Sequence, residues 1–455
     1  MKILNRLQKF SSGLNYLNAA LNQEDSNNQT IYLVCVENNH VNLVEHLLAN
    51  FAVDKEQQDK HGGNLAIHYA AKNGSLSMFK VLVKHDAVSF RRNFNQQNAL
   101  HIAALNNRHK FIREFLNYEK EYKERMKWKN KSLTSLLASI DGEMRSDEFV
   151  DSIAAQDVNN YTPLLNAVAS GNQKCVRVLL ESENVKMNAC DLYGNTVFHL
   201  CTEFDNVETL KYLFQTFNSD IAFTKNNMDN TILHLSCMKG NLELVKLIFN
   251  NLSSSEAYES FLFSKNKDNQ TCFHIACLNG FYNIVEYFLK EKKMNAFVEH
   301  FDNNANTALH LATMNGHSSI VSLLLDHNVD LYAKNEENNT ALDLSCRNGN
   351  FEISKLLIAN YKLDRQDTNN PLHVACYEGA QEVVKLLLQR GFKIDKLNGE
   401  NKNCLDISIA QNHREVIRVL LDDKNWHKLI QTTNRADAEQ AMAPIQNIDG
   451  SLSFD

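Results

Sequence analysis

Only three prolines (Pro163, Pro371 and Pro444), 15 glycines and two tryptophans occur among 455 residues. So little proline and glycine excludes a collagen-like or linker-dominated chain and favours helix, because both residues interrupt helices. Long apolar runs are missing too. None reaches 18 residues, and the N-terminal MKILNRLQKFSSGLNYL mixes polar with apolar side chains, so neither a membrane span nor a secretion signal is expected. There is no excess of positive charge: a formal net charge of -7 and a pI near 6.2 provide no general field for a polyphosphate backbone, which argues against nucleic acid as a partner. Ten cysteines are too sparse for a disulfide framework. Without a secretion signal they read as reduced thiols of a cytoplasmic protein, in which Asn269-Gln270-Thr271 carries no glycan.

Catalytic signatures are absent as well. The sequence has no P-loop, no G-x-S-x-G elbow, no H-E-x-x-H and no kinase motif, so neither an enzyme nor a cofactor is expected. The pairs His234/Cys237, His274/Cys277 and His373/Cys376 have the look of zinc ligands. They are spread too far along the chain to converge on one metal, and each cysteine stands where a small buried residue is expected, so no metal site is expected either. Asp302-Asn303-Asn304-Ala305-Asn306 begins like a calcium loop, but Thr307 stands where glycine is needed and Thr313 where the bidentate glutamate belongs. It reads as a hairpin tip. Nothing in the sequence marks Cys175, Cys190 or Cys404 as reactive, which would require a lowered pKa.

What the sequence does contain is 44% hydrophobic residues, 22% charged residues and one recurring phrase, T-x-L-H-x-A-x-x-x-G followed by an apolar stripe. Its clearest copies run from Thr231 through His234 to Gly240, from Thr271 through His274 to Gly280, and from Thr307 through His310 to Gly316. Weaker copies lie at Leu65 to His68, Asn98 to His101, Thr162 to Leu165, Thr196 to His199, Thr340 to Asp343, Asn370 to His373 and Asn403 to Asp406, and Thr30 to Leu33 opens the series. Successive fourth positions are 35, 33, 64, 34, 35, 40, 36, 33, 30 and 33 residues apart. The period is therefore near 33. The 64-residue gap spans about two periods, and Lys131-Ser132-Leu133-Thr134 falls where a degenerate copy would start. Eleven or twelve repeats are expected.

The phrase is also a helix start. Thr162 can cap a first helix with Pro163 at its first position, and a second helix follows Gly171 with Cys175, Val176, Val178, Leu179 and Leu180. In the best-formed copy Val383, Val384, Leu387 and Leu388 share one face and Gly391 stands just past the end. Such a helix pair buries its apolar faces only by stacking on its neighbours. Repeats are placed at 26-116 and 157-425, with an irregular charged segment at 117-156. Residues 1-25 form an N-terminal cap, whose seam Ile3, Leu7, Phe10, Leu14, Leu17 and Leu21 reads as a helix covering the first repeat or as a short coiled coil. The run Glu119 to Lys131 reads as a solvated helix with Trp128 packed on the array, or as an anion or phosphoinositide patch. At 426-455 Trp426 closes the array ahead of a polar tail.

Over roughly residues 26 to 425 the chain resembles the ankyrin-repeat family, which implies an all-α solenoid of stacked helix-turn-helix units with hairpin-like loops. The resemblance implies that the Thr and His of each phrase (His68, His101, Thr196, His199, Thr231, His234, Thr271, His274, Thr307, His310 and His373) tie loops and neighbouring repeats together by hydrogen bonds. It also implies a protein partner and no catalysis. Asp343 and Asp406 replace the histidine, so less regular interfaces are expected there. The stretch Asn403 to Ala410, then Arg414-Glu415-Val416-Ile417 and Lys424-Asn425-Trp426, resembles the last repeat of the ankyrin-class transient receptor potential channels. That likeness implies a cytosolic array at the inner face of a membrane, belonging to a homotetrameric cation channel with its pore outside this chain. Two alternatives stand beside it: a stand-alone cytoplasmic adaptor, and an array fused to an enzyme.

Overall fold

The structure, a computed structural model, describes residues 18–137, 151–182, 184–217, 219–252, 258–290, 294–327, 329–362, 371–424 and 427–429. The N-terminal seam from Ile3 to Leu17, the side chain of Trp128, the closing residue Trp426 and the tail from 431 lie outside what is described. Two compact units divide the chain, Met1–Asn227 and Met228–Asp455.

Among the described residues the first unit holds five helix pairs: α1 (Ile31–Glu37) with α2 (Val41–Asn50), α3 (Ala66–Asn73) with α4 (Leu76–Lys84), α5 (Ala99–Leu105) with α6 (His109–Leu137), α7 (Pro163–Ala169) with α8 (Gln173–Leu180), and α9 (Val197–Glu203) with α10 (Val207–Thr216). The starts follow from the sequence. Thr30, Asn98 and Thr162 accept hydrogen bonds from backbone N–H groups of the first turns of α1, α5 and α7, and Pro163 sits where its missing N–H is not needed. The short first helices pack on one another in chain order, from α1 through α3, α5 and α7 to α9. Ahead of them residues 18–21 are helical, with Leu21 buried. Asn22 Nδ2 donates to the Ala52 carbonyl at 2.8 Å, and Ala52 N–H donates to Asn18 Oδ1 at 3.3 Å.

In the 64-residue gap helix α6 runs unbroken through Lys131-Ser132-Leu133-Thr134, and α5 packs directly on α7. The physical reason is an aromatic face. Phe111, Phe115, Tyr118 and Tyr122 lie along one side of α6 and meet Phe79 and Phe90, with ring centroids 5.2 Å apart for Phe79–Phe111 and 5.7 Å for Phe79–Tyr118. Nor is the charge run simply solvated. Glu119 is only 2% exposed; it accepts from Ser152 N–H at 3.1 Å and lies 3.2 Å from Lys123 Nζ, which is 2.7 Å from Asp151. These bonds bring the returning chain back against α6 before α7 begins.

Among the described residues the second unit holds six pairs: α11 (Ile232–Lys239) with α12 (Leu242–Leu252), α14 (Cys272–Leu278) with α15 (Tyr282–Lys290), α16 (Ala308–Met314) with α17 (Ser318–Leu325), α18 (Ala341–Arg347) with α19 (Phe351–Asn360), α20 (Pro371–Glu378) with α21 (Gln381–Arg390), and α22 (Cys404–Ala410) with α23 (Arg414–Leu421). A short helix α13 (Tyr258–Leu262) precedes α14. The first helices again pack in order, from α11 to α22. Gly391 ends α21 at φ 96°, a left-handed conformation that a side chain would strain. Buried leucines such as Leu309 and Leu342 and the packed rings of Phe273, Phe288 and Phe297 form the core. No described helix is long and apolar enough to cross a membrane.

Candidate partner-binding surfaces

Within each unit, the described connections between helix pairs are hairpins that begin with Asp or Asn. That side chain holds the turn from within: Asp157 Oδ1 accepts from the N–H groups of Asn159 and Tyr161, Asp191 Oδ1 from Tyr193 and Asn195, Asn266 Oδ1 from Asp268 and Gln270, and Asp302 Oδ1 from Asn304 and Asn306, all at 2.8–3.0 Å. The loop that resembles a calcium site is therefore a hairpin whose first carboxylate is already engaged. Successive tips are also bonded to each other. In the first unit the N–H groups of Lys60, Phe94, Val158 and Leu192 donate to the carbonyls of Asn27, Gly62, Asn95 and Asn159, and in the second those of Lys267, Asn303 and Glu336 donate to Met228, Asp268 and Asn304. The tips thus form a backbone ladder in each unit whose bonds involve no side chain.

The histidines of the repeated phrase serve this framework. Nδ1 of His68, His101, His199, His234, His274 and His310 accepts the backbone N–H three residues earlier, at 3.0–3.3 Å. A backbone N–H can only donate, so Nδ1 carries no proton and the Nε2–H is left to donate outward. It does so across to the next hairpin, from His101 to the Tyr161 carbonyl, His234 to Gln270, His274 to His300, His310 to Asn339 and His373 to Lys396, at 2.9–3.1 Å. The hydroxyls of Thr196, Thr231, Thr271 and Thr307 lie 2.8–3.0 Å from the same Nδ1 atoms. Burial pushes His68, His101 and His274 down to about 4, keeping them neutral. At Asp343 and Asp406 a carboxylate oxygen accepts the same cap N–H at 2.9 and 3.0 Å, so the helix start survives. What an ionised carboxylate cannot supply is the outward donor.

These positions are therefore consumed by the fold. Cys237, Cys277 and Cys346 are buried, and desolvation holds their thiols above the usual range. Cys175 is pushed up to about 12 for the same reason, and Cys404 is raised too. Among the described residues no group of three or more potential metal ligands is found. A cleft of about 480 Å³ beside α6 is lined by both signs of charge, with Arg113 3.1 Å from Glu181 and Lys123 held by Asp151. Carboxylates line it as closely as cations do, while the side chains of Lys127, Lys129 and Lys131, on which the anion-patch reading rests, lie outside what is described.

The surface left over is that of the tips and of the exposed ends of the first helices. Seven residues before the fourth position of the phrase stand Phe94, Val158 and Leu192 on three consecutive hairpins, all exposed, followed by Tyr193 at 72%. Four residues after it stand Met238, Leu278 and Met314 on α11, α14 and α16, with Met238 39% and Met314 43% exposed. Sequence reasoning that follows only the repeated letters passes over these columns. Their signal was a register one: apolar residues at a constant offset in positions where the framework needs none.

A family model described as ankyrin repeats matches residues 11–88, 31–126, 126–225, 217–300, 293–367 and 359–431. The chain is 32% identical over 131 residues to the transient receptor potential cation channel subfamily A member 1 homolog of Caenorhabditis elegans, covering 28% of this chain and 11% of that protein. It is 25% identical over 150 residues to human transient receptor potential cation channel subfamily A member 1, covering 30% and 13%. With the E3 ubiquitin-protein ligase XBAT33 of Arabidopsis thaliana the figures are 35% over 97 residues, 20% and 19%. The matches thus span less than a fifth of each of these relatives. The family matches, the stacked helix pairs and the hairpin ladder lead to one conclusion: the chain belongs to the ankyrin-repeat family.

Proposed function

We propose that this chain is a non-catalytic scaffold that holds protein partners on two surfaces: the hairpin tips of repeats 3 to 5 and the ends of the first helices of repeats 6 to 8. The observation behind this reading is the register of exposed apolar side chains. Isolated exposed apolar residues need no explanation, but three in a row at equivalent positions on consecutive repeats make a line that a partner can cover. The test uses the whole chain as bait in an extract of its native cells, beside the variants Phe94→Ser with Leu192→Ser and Met238→Ser with Met314→Ser. Protein partners lost on one double substitution, with thermal unfolding unchanged, support the reading. Partners indifferent to both would sink it.

For the origin of the array we favour the cytosolic N-terminal part of an ankyrin-class transient receptor potential channel, assembled as a tetramer at the inner face of a membrane. The two channel relatives and the likeness of residues 403 to 426 to the last repeat of such channels support that reading. The ligase relative supports an adaptor instead. Long-read sequencing of the native transcript separates them: six membrane-spanning segments downstream would make this the sensor end of a channel, and a stop codon after Asp455 an adaptor.

A further inference from the structure

The hairpins of repeats 2 to 5 treat their charges unevenly. Each of the three that begins with aspartate buries it: Asp59, Asp157 and Asp191 are all below a tenth exposed. Asp59 accepts from the N–H groups of His61, Gly62 and Asn64 and from the Tyr69 hydroxyl. Asp157 accepts from two N–H groups of its own turn, and its other oxygen lies 3.4 Å from Gln97 Nε2. Asp191 is held in the same way, with Asn195 Nδ2 3.2 Å from its second oxygen. In the tip segments themselves, residues 58–65, 91–98, 155–162 and 189–196, the other charges are the cations Lys60, Arg91 and Arg92, while the exposed carboxylates Asp54, Glu56 and Asp86 lie further back along the connecting loops. Glu56 is 3.8 Å from Arg91, and Arg92 Nη1 donates to the Gln156 carbonyl at 3.1 Å. Next to this basic end lies the apolar line of Phe94, Val158, Leu192 and Tyr193.

The line is held in place before anything binds. Backbone bonds of 2.8, 3.1 and 3.3 Å tie the N–H groups of Phe94, Val158 and Leu192 to the preceding tips. The Phe94 ring lies directly over Gly63, where a Cβ would collide with it, and Gly63 adopts φ 66°. An anchor already fixed by its own backbone loses little conformational entropy on binding.

Building on the scaffold reading above, we propose that the hairpin tips of repeats 2 to 5 form a docking line for an acidic peptide segment of a protein partner. Its apolar side chains cover Phe94, Val158, Leu192 and Tyr193, and its carboxylates face Lys60, Arg91 and Arg92. A line one residue wide fits a peptide chain, and three cations are few for a membrane surface, which polybasic clusters of four to eight typically serve. The cations set the polarity and salt dependence of binding, and the apolar line supplies its strength.

The test exposes the whole chain to two fluorescent pools of short synthetic peptides with randomised Phe, Leu, Ile, Val and Trp positions, one alternating them with Asp and Glu, the other with Lys and Arg. The expected result is retention of the acidic pool alone. It should fall about tenfold or more in Phe94→Ser with Leu192→Ser and in Arg91→Glu with Arg92→Glu, weaken with added salt, and be unchanged in Met238→Ser with Met314→Ser. Because the substituted side chains lie at the surface, unchanged thermal unfolding separates lost binding from lost fold. Equal retention of both pools, or acidic retention indifferent to Phe94 and Leu192, overturns the proposal. So does binding to vesicles of anionic phospholipid that is lost with the same substitutions. If peptides are held only through Met238 and Met314, the scaffold reading stands and this proposal fails; if neither surface holds peptide, both fail.

Discussion

The two units build the same hairpin ladder and present different chemistry on it. On the hairpins of Met1–Asn227 the tips carry Phe94, Val158, Leu192 and Tyr193, while the column four residues past the phrase reads Glu37, Lys72, Leu105, Ala169 and Glu203. In Met228–Asp455 the tips carry one exposed apolar residue, Met228, followed by Lys267, Asp268, Asn303, Asn304, Glu336 and Glu337, and that column begins Met238, Leu278 and Met314. The framework accounts for the difference. The ladder bonds between tips join backbone to backbone, and the turns need Asp or Asn at their first position and a residue that adopts positive φ, such as Asn160 or Asn269. Side chains between those points are free to vary without cost to the fold, which is where recognition accumulates.

Acid offers the largest way to test how alike the two frameworks are. His68 and His101 in the first unit and His274 in the second are held down to about 4, with His310 and His373 lowered as well, in each case chiefly by burial. In the unfolded chain imidazole protonates near pH 6.5, so between that value and about 4 the unfolded state binds more protons. Stability is full above pH 6.5 and falls below it, by about 1.4 kcal/mol per pH unit for each of His68, His101 and His274. Urea midpoints measured at pH 7, 6 and 5 should drop progressively. A flat profile would show the imidazoles to be exposed.

Next in size, Leu309→Ala in the second unit and Leu100→Ala in the first should each destabilise by about 2–5 kcal/mol, since both side chains are at most 1% exposed and truncation leaves a cavity. A far smaller shift in denaturant midpoint at one of them would break the equivalence of the two cores. Glu119→Ala, in the first unit, leaves the Ser152 N–H without its acceptor and should cost about 1–3 kcal/mol. Hydrogen exchange should locate that loss at the amide of Ser152. Thr162→Ala, removing the cap of α7, is expected to cost about 1 kcal/mol in the same denaturation assay. Smallest for stability are the tip substitutions Phe94→Ser and Leu192→Ser, within about 0.5 kcal/mol, although they carry the largest expected effect on binding.

Much of this was legible in the letters. The period, the cap at Thr162 with Pro163, the stop at Gly391 and the buried Leu309 all follow from local rules that the structure obeys. A spacing of two periods does not say what fills the stretch at Lys131 to Thr134; helix α6, anchored further back by its aromatic face on Phe79 and Phe90, runs through it. Asp343 and Asp406 were expected to make their interfaces less regular. A carboxylate accepts a cap N–H as well as an imidazole nitrogen does, so their helix starts are kept, and what is missing is the outward donor that the histidines direct to the next hairpin.

The sequence by itself determined the repeat, its helix starts and its buried faces, because each depends on contacts within a few residues of the phrase. Tertiary structure decided which atoms remain for a partner. Asp59, Asp157 and Asp191 are acidic in sequence yet hidden within their turns, while Phe94 and Leu192 are apolar in sequence yet held at the surface by ladder bonds between hairpins 34 or more residues apart. Charge and apolarity count for recognition only where the fold leaves them uncovered.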